Sequence, residues 1–462
     1  MPACARGSKR RCRGTRTKPP KRSTKTSTAT RFFRRKRLWT TALSTRCSAR
    51  ARTLPSFRPR RGPRTGKIGS VSDTRKLNPP ASLTPASIPW FVLFFDLVVV
   101  AAFSQTAKTY QATPTWYTSA FIAACILLVY SLWAVTTIEF LVTEVETWTH
   151  RVIVLVQMTA ILVGALSLGR GSGLQDAWGF AALSVALGCG AVLTGLRGRI
   201  HQRDRNLIIR RAVLLGVASL LFFGGALVPA ESDVGGVHVV LIVFYLATPV
   251  AIAAALTLMP QLVHRDARER SHVIQERFGL ILLIVLGDSF LLLLGSVGSD
   301  NTIAQPLFFI ASVLLVFSIW ALYFPELSRA AFPDTLRAGY ARLGAHFLLV
   351  LSSTVAIVAC TWMTKHSFPQ LAESARQDGA WTALPIFTIS ASILWLTLLR
   401  DRRMSAQSVL HLTCSVVLLV LTLFGIFASD LESYWLLLAA VGVLIAQAIL
   451  SLSAFRVASS VA

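Results

Sequence analysis

Long apolar stretches separated by short polar segments run along the chain from about residue 88. Each stretch has about 20 residues, which at 1.5 Å rise per helical residue crosses a hydrocarbon layer of about 30 Å. Membrane strands would be about half as long and would alternate in polarity. We therefore predict an all-α membrane protein with twelve transmembrane helices, at 88–107, 116–138, 150–168, 177–196, 209–230, 237–259, 272–297, 303–324, 343–363, 380–399, 407–428 and 433–455.

The basic residues between these segments are distributed unevenly. With a cytoplasmic N-terminus, the inner loops and the C-terminal end hold 17 arginines. The outer loops then hold only Lys108, Arg170, Lys365 and Arg376. Because Lys and Arg accumulate on the cytoplasmic side, we expect a multi-pass protein of the inner (cytoplasmic) membrane with both termini in the cytoplasm.

Two halves of this region, about 88–259 and 272–455, resemble each other. Four short matches occur in the same order: 91–93 with 278–280 and 131–134 with 318–321 at an offset of 187, His150 with His346 at 196, and 193–197 with 396–400 at 203. They predict a 6+6 tandem repeat with parallel copies, because a unit of six spans returns the chain to its starting side. Chance similarity between two apolar sequences is the alternative.

Residues 1–80 differ sharply from the transmembrane domain, which we place at 85–458. They hold 25 of the 47 Lys and Arg of the chain and one acidic residue, Asp73, so they carry a charge of +24. Like charges repel and little apolar surface can be buried, so we expect a disordered basic tail. The high net charge of the chain, +26, is thus a property of this tail and does not indicate specific nucleic-acid binding.

Several interpretations of the tail remain open. It could be a non-native N-terminal extension, since no Met occurs between Met1 and Met158 and Val71 could mark a non-AUG start. It could also lie on anionic lipid, act as an organelle transit peptide, or form a nucleic-acid-binding arm. The last interpretation lacks the interleaved aromatic residues that stack on bases.

Two acidic residues fall well inside predicted spans. Asp96 lies within the first span and Asp288 midway along the seventh. An ionised carboxylate in the hydrocarbon region costs about 2.5–3.5 kcal/mol on insertion scales, so it rarely faces lipid. The two residues could bind protons or cations inside the bundle, or each could hold a neighbouring helix by a hydrogen bond.

A second group of candidates opens the seventh span. His272 and Glu276 are spaced to share a helix face, and Arg277 could pair with Glu276 or with an acid on another helix. Gly279 and Gly287 fall near the same face as Glu276, which predicts either close helix packing or room for a ligand. The alternative for the charged residues is an interfacial cluster that reaches water.

The sequence offers no pattern typical of a metal site or a cofactor site. Cys125, Cys189, Cys360 and Cys414 lie one per span without CxxC spacing, and no phosphate-binding Gly loop, HExxH or GxSxG motif occurs. We therefore expect no metal and no cofactor, and an ATP-driven pump is not indicated.

Two segments resemble the bacterial low temperature requirement A family. WFVLFFDLVVV at 90–100 is similar to the family pattern W-x-E-L-F-F-D-L-x-F-V, and HVIQERFGLILLIVLGDSF at 272–290 to H-x-x-x-E-R-F-G-L-x-x-I-x-L-G-E. The resemblance covers about 85–455 and carries over Leu93, Phe94, Phe95, Asp96, Leu97, His272, Glu276, Arg277, Gly279, Leu280 and Gly287. Val92 stands in place of the family's first Glu, and Asp288 in place of its last.

The leading functional hypothesis is a secondary transporter or permease for a small solute. Asp96 and Asp288 would lie in a cavity between the two halves and bind protons or cations, and Glu276 and Arg277 would form a gate. Beyond the lipid bilayer, protons and this solute, the sequence identifies no partner and no oligomeric state. A second hypothesis is a membrane-embedded enzyme for a lipid or isoprenoid substrate that uses His264, Asp266, Glu269, His272 and Glu276. A third is a non-catalytic membrane factor that supports growth in the cold.

Overall fold

The computed structural model of the chain describes residues 90–112, 116–142, 147–168, 177–198, 205–229, 233–234, 237–260, 267–296, 304–329, 335–365, 368–401, 404–427 and 433–461. The basic tail at 1–80 lies outside the described residues. The disorder and the non-native origin expected for it therefore stay predictions.

Twelve helices, each long and apolar enough to cross a membrane, account for nearly all of the described residues. The predicted number of spans is thereby confirmed. In chain order they are α1 (Trp90–Ala112), α2 (Trp116–Val142), α3 (Trp148–Leu168), α4 (Ala177–Gly198), α5 (Arg205–Leu227), α6 (Val239–Leu256), α7 (Ala267–Leu294), α8 (Ala304–Arg329), α9 (Leu336–Lys365), α10 (Phe368–Asp401), α11 (Ala406–Phe427) and α12 (Ser433–Val461).

A small hairpin that the hydropathy pattern did not predict lies between α5 and α6. Strand β1 (Asp233–Val234) pairs antiparallel with β2 (Val237–His238), with Asp233 opposite His238. Only two residues of each strand pair, so the hairpin closes the connection without forming a larger sheet in the described part of the chain.

The helix packings found among α1–α6 recur among α7–α12, where α8 also packs on α9 and α10 on α12. In the first set α1 packs on α2 and α3, α3 on α4, α4 on α5, α5 on α6, and α2 on α4 and α6. Each of these packings recurs between the helices six places later in the chain. The two sets meet where α1 packs on α7 and α9, and where α2 packs on α9.

Helix α11 illustrates how the helices face lipid. Its buried side chains are Ser408, His411, Ser415, Leu418 and Thr422, spaced three or four residues apart on one face. Its exposed face carries Val409, Leu412, Val416, Val420 and Leu423. Because a bilayer presents an apolar surface to the helix, the polar side chains turn inward and the apolar ones outward.

Helix α9 packs on helices of both sets, and four of its buried hydroxyl groups are satisfied within the helix, whereas the buried hydroxyl of Ser353 has no hydrogen-bond partner among the described residues. Ser352, Thr354, Thr361 and Thr364 each donate a hydrogen bond to the backbone carbonyl four residues earlier. This arrangement pairs these four donors locally, as a polar group in an apolar surrounding requires.

Candidate functional site

The carboxylate of Asp96 lies fully buried at the junction of α1, α2 and α7. The indole Nε1 of Trp133 donates a hydrogen bond of 2.7 Å to Oδ1, and Nη1 of Arg277 donates one of 3.1 Å to Oδ2. Arg277 is itself only 1% exposed, so the charge pair is enclosed by protein. A buried charge is tolerated when it is paired and hydrogen-bonded, and Asp96 meets both conditions.

Aromatic rings hold this junction in place. The rings of Trp133 and Phe278 meet edge to face with centroids 5.7 Å apart, and Phe278 stacks on His346 of α9 at 4.5 Å. Tyr130 lies against Trp133 one turn earlier on α2. Such contacts add about 0.5–1.5 kcal/mol per pair beyond burial, and they fix the indole that points at Asp96.

Arg277 and Glu276 have different environments despite being adjacent. Of the two partners considered for Arg277, the structure has the acid on another helix, Asp96, while Glu276 is exposed. Arg277 therefore does not lie in an interfacial charge cluster. Its Nε and Nη2 atoms are buried and have no hydrogen-bond acceptor among the described residues.

Asp288 lies further along the same pair of helices. The hydroxyl of Ser104 on α1 donates a short hydrogen bond to its Oδ2, and the residue is partly buried. Asp96 on α1 contacts Arg277 on α7, and further along the two helices Ser104 contacts Asp288. The two contacts occur in the same chain order on both helices, so α1 and α7 run parallel. Eight residues on α1 and eleven on α7 separate the two contacts, or about 12–17 Å along the axes. The two carboxylates thus share a helix interface and take separate partners.

Gly279 and Gly287 differ in what surrounds them. A Cβ added at Gly279 would come within 2.8 Å of Cδ2 of Leu327, so this glycine permits close packing of α7 on α8. A Cβ at Gly287 would meet nothing within 4 Å, and the residue is exposed. Of the two glycines predicted to lie near the face of Glu276, Gly279 is the one that permits close helix packing.

A narrow cavity, wide enough for little more than one water molecule, adjoins the charge pair. It lies between α2, α7, α9 and the residues that follow α6, and Arg277 lines it together with Trp133, Ala134, Thr137, Ile138, Leu258, Met259, Ile274, Phe278 and Leu343. The hydroxyl of Thr137 is buried and also has no hydrogen-bond partner among the described residues. The wall surface that faces the cavity is apolar, so the polar atoms of Arg277 and Thr137 do not line it.

The residues proposed for an enzymatic site lie at and before the start of α7, and most of their side chains are outside the described part of the chain. His264 and Asp266 lie outside the described residues, and Glu269 and His272 are described only as backbone positions in α7. Among the described residues no group of three or more His, Cys, Asp or Glu side chains could hold a metal ion.

A buried cluster that the sequence analysis did not identify connects α2, α4 and α5. Glu139 receives a hydrogen bond of 2.6 Å from Nη1 of Arg197 at Oε2 and one of 2.7 Å from Nη1 of Arg211 at Oε1. Arg211 also donates from Nη2 to the carbonyl of Thr257, just after α6, at 3.2 Å. All three charged side chains are at most 4% exposed.

The second set of helices contains a similar cluster. Glu326 of α8 accepts a short hydrogen bond from Nη1 of Arg400 of α10, and one of 2.5 Å from Nε2 of Gln407 of α11. Arg400 also donates from Nε and Nη2 to its neighbour Asp401. We call the end of the bundle that holds Arg197, Arg211 and Arg400 the arginine end.

The repeat offsets could have revealed both clusters. Glu139 and Glu326 are 187 positions apart, and Arg197 and Arg400 are 203 apart, the same offsets as the matched segments around them. Hydropathy alone gives no reason to select the two glutamates, and in the positive-inside pattern Arg197 and Arg211 indicate only orientation.

Comparison with known proteins agrees with the two motifs that surround Asp96 and Arg277. The family model of the bacterial low temperature requirement A protein matches residues 88–448, which is most of the chain and nearly all of the helical bundle. No curated protein and no solved structure matches the chain. The chain therefore belongs to the bacterial low temperature requirement A protein family.

Proposed function

We propose that this protein is a secondary transporter for a small solute in the cytoplasmic membrane. The observation that carries the proposal is the buried ion pair between Asp96 of α1 and Arg277 of α7, which connects the two sets of six helices. Ionisable side chains inside a membrane domain commonly mark the path of a substrate or ion.

The proposed transporter consists of two repeats of six helices. The recurring pattern of helix neighbours supports this, as do the matching pairs Glu139–Arg197 and Glu326–Arg400. Since each set of helices is held together by its own charge cluster at the arginine end, each can move as one body. The contacts between α1, α2, α7 and α9 are then the ones that change during transport.

Asp96 is the proposed switch. Ionised, it binds Arg277 and holds α1 against α7; protonated, it keeps the indole hydrogen bond but loses the charge attraction. A proton therefore changes which arrangement of the halves is favoured, as population shift requires. Asp288 forms a second proton or cation site further along the interface, and Glu276 and His272 at the start of α7 belong to the entrance.

The arginine end is proposed to face the cytoplasm, with both termini on that side. The loops that adjoin it carry most of the arginines of the transmembrane domain, as the positive-inside rule requires. The cavity beside Arg277 is lined by residues near the ends of α2 and α6 and the starts of α7 and α9, so it opens at this end.

The test uses full-length protein reconstituted into liposomes with an imposed pH gradient. The probe is the small-molecule fraction extracted from the producing cells, and the solutes retained inside are identified by mass spectrometry. We expect at least one solute to accumulate in wild-type liposomes and not with Asp96→Asn or Asp288→Asn. Unchanged, equally pH-dependent accumulation with both variants would overturn the mechanism, and no accumulated solute would overturn the function.

A further inference from the structure

We propose that one hydrogen bond between the two sets of helices closes the arginine end of their interface. The hydroxyl of Tyr340, near the start of α9, donates to the carbonyl of Leu256, the last residue of α6, at 3.1 Å. We call this hydrogen bond the closing contact. The inference rests on the proposed function only in making the opening of this contact a step of transport. The contact itself is argued from the residues around it.

The first step concerns why the carbonyl of Leu256 is available. Helix α6 ends at Leu256, and Thr257 forms a tight turn in which its N–H donates to the carbonyl of Ala254 at 3.2 Å. In a continuing helix the carbonyl of Leu256 would accept from the N–H of the residue four positions later, which is Pro260 and has no N–H. The chain therefore leaves this carbonyl to a donor from outside α6, and the second set of helices supplies it.

The second step concerns what the closing contact connects. The turn after α6 is bound to the first set, because Arg211 of α5 donates from Nε to the hydroxyl of Thr257 at 3.0 Å and from Nη2 to its carbonyl at 3.2 Å. The same guanidinium group binds Glu139 of α2. Tyr340 thus donates to a segment that is fixed to the buried charge cluster of the first set. The closing contact therefore joins α9 to that set as a body.

The third step concerns the position of the contact relative to the ion pair between α1 and α7. Leu258 and Met259, directly after the turn, and Leu343, one helical turn after Tyr340, line the narrow cavity beside this ion pair. The cavity is wide enough for little more than one water molecule. A larger solute can approach the ion pair along this side only after the end of α6 and the start of α9 separate. This separation breaks the closing contact.

The fourth step concerns the strength of the contact. Tyr340 is only partly buried, so its hydroxyl can bond to water once the contact is broken. A hydrogen bond of this kind shifts an equilibrium by about 2- to 10-fold, because breaking it exchanges one partner for water. The contact therefore favours the closed arrangement without preventing opening, as an element that opens in every transport cycle requires.

The test measures how fast a thiol in the cavity reacts with a small water-soluble methanethiosulfonate, using purified full-length protein in detergent micelles. Ala134→Cys, in a background without native cysteines, places the thiol on the buried cavity wall. Tyr340→Phe removes only the hydroxyl, so labelling should become about 2- to 10-fold faster. Tyr245→Phe, which removes the hydroxyl of an exposed tyrosine on α6, is the matched control and should leave the rate unchanged.

A second variant acts on the acceptor instead of the donor. Pro260→Ala supplies the missing N–H, so the carbonyl of Leu256 can be bonded within its own segment and Tyr340 loses its partner. Labelling should again be faster while the protein elutes from gel filtration as the wild type does. An unchanged rate in Tyr340→Phe, or an equal increase in Tyr245→Phe, overturns the inference. If Tyr340→Phe does not elute as folded protein, Pro260→Ala decides in the same way.

The outcome separates this inference from the proposed function. If Tyr340→Phe speeds labelling and no solute accumulates in liposomes, the closing contact stands and the transport function is wrong. If an Asp96-dependent solute accumulates and Tyr340→Phe leaves labelling unchanged, transport stands and the closing contact is wrong.

Discussion

Glu139 on α2 and Glu326 on α8 lie 187 positions apart, and each accepts a hydrogen bond from the arginine near the end of the helix two places later. The partners are not fully equivalent. Glu139 has Arg211 as its second donor, whereas Glu326 has the uncharged Gln407. The first cluster therefore has two guanidinium groups around one carboxylate, and the second has Asp401 as an additional acid beside Arg400.

This difference predicts unequal effects of removing the two glutamates. Glu139→Gln removes the carboxylate charge that Arg197 and Arg211 share, and the loss of one partner of a buried ion pair costs about 3–5 kcal/mol of stability. Glu326→Gln leaves Arg400 bound to Asp401 and should cost clearly less. Thermal unfolding of both variants in the same detergent measures the order. Equal losses, or a larger loss for Glu326→Gln, would contradict the role assigned to Asp401.

The pair of Asp96 and Arg277 should show strong energetic coupling. Asp96→Leu or Arg277→Met alone leaves a buried charge unpaired and should destabilise the protein by about 3–5 kcal/mol. The double variant removes both charges and should be more stable than either single variant. Unfolding midpoints of the four proteins form the cycle. Additive losses in the double variant would show that the two side chains do not act as a pair.

A structural and a functional role of Asp288 can be separated by one substitution. Asp288→Asn retains a carbonyl oxygen that can accept from the hydroxyl of Ser104, so the unfolding midpoint should change little. Ser104→Ala removes that donor and serves as the control for the contact alone. If Asp288→Asn abolishes proton-coupled solute accumulation while Ser104→Ala retains it, the charge is functional. Loss with both variants would assign the residue to helix packing.

The two glycines of α7 should respond differently to alanine. Gly287→Ala meets nothing within 4 Å, and alanine favours a helix over glycine by about 1 kcal/mol, so stability should stay level or rise. Gly279→Ala brings a methyl group against Leu327 and should give a lower unfolding midpoint than Gly287→Ala. The reverse order would show that α7 and α8 do not approach closely at Gly279.

The orientation of the bundle can be measured with cysteine labelling. In a background without native cysteines, Lys108→Cys at the end of α1 should react in intact cells with a membrane-impermeant maleimide. Ser328→Cys at the end of α8 should react only after the membrane is opened. Both side chains lie on the protein surface, and labelling of each after the membrane is opened is the control that its thiol can be reached by the reagent. The opposite pattern would place the arginine end outside.

The sequence predicts the spans well because the burial of backbone polar groups in lipid imposes long apolar helices. It also singles out Asp96 and Arg277, since a charge in such a segment is conspicuous. It does not predict that these two residues pair, because both the neighbours of a helix and the face it turns inward are decided by tertiary packing. Hydropathy cannot separate the faces of a helix that is apolar all round.

Glu139, Glu326 and their arginines show a different limit. They lie near the ends of spans, where charged residues are common and usually reach water, so composition alone gives no reason to select them. The two glutamates are separated by the same offset as the matched segments near them, and so are Arg197 and Arg400. Comparing the two halves residue by residue would therefore have identified both clusters. Glu276 is the opposite case. Its place in a motif made it a candidate site residue, but its side chain is exposed.

The hydroxyl groups of α9 have a mechanical consequence. Four hydroxyl groups of α9 donate their hydrogen bonds to backbone carbonyls of the same helix, namely those of Ser352, Thr354, Thr361 and Thr364. These four side chains therefore tie α9 to no adjacent helix, although α9 touches both sets. At these four positions, α9 can slide or rotate against its neighbouring helices without breaking a hydrogen bond. At the start of α9, by contrast, the hydroxyl of Tyr340 donates to the carbonyl of Leu256 at the end of α6, so a directional contact between α9 and the first set of helices lies at this end.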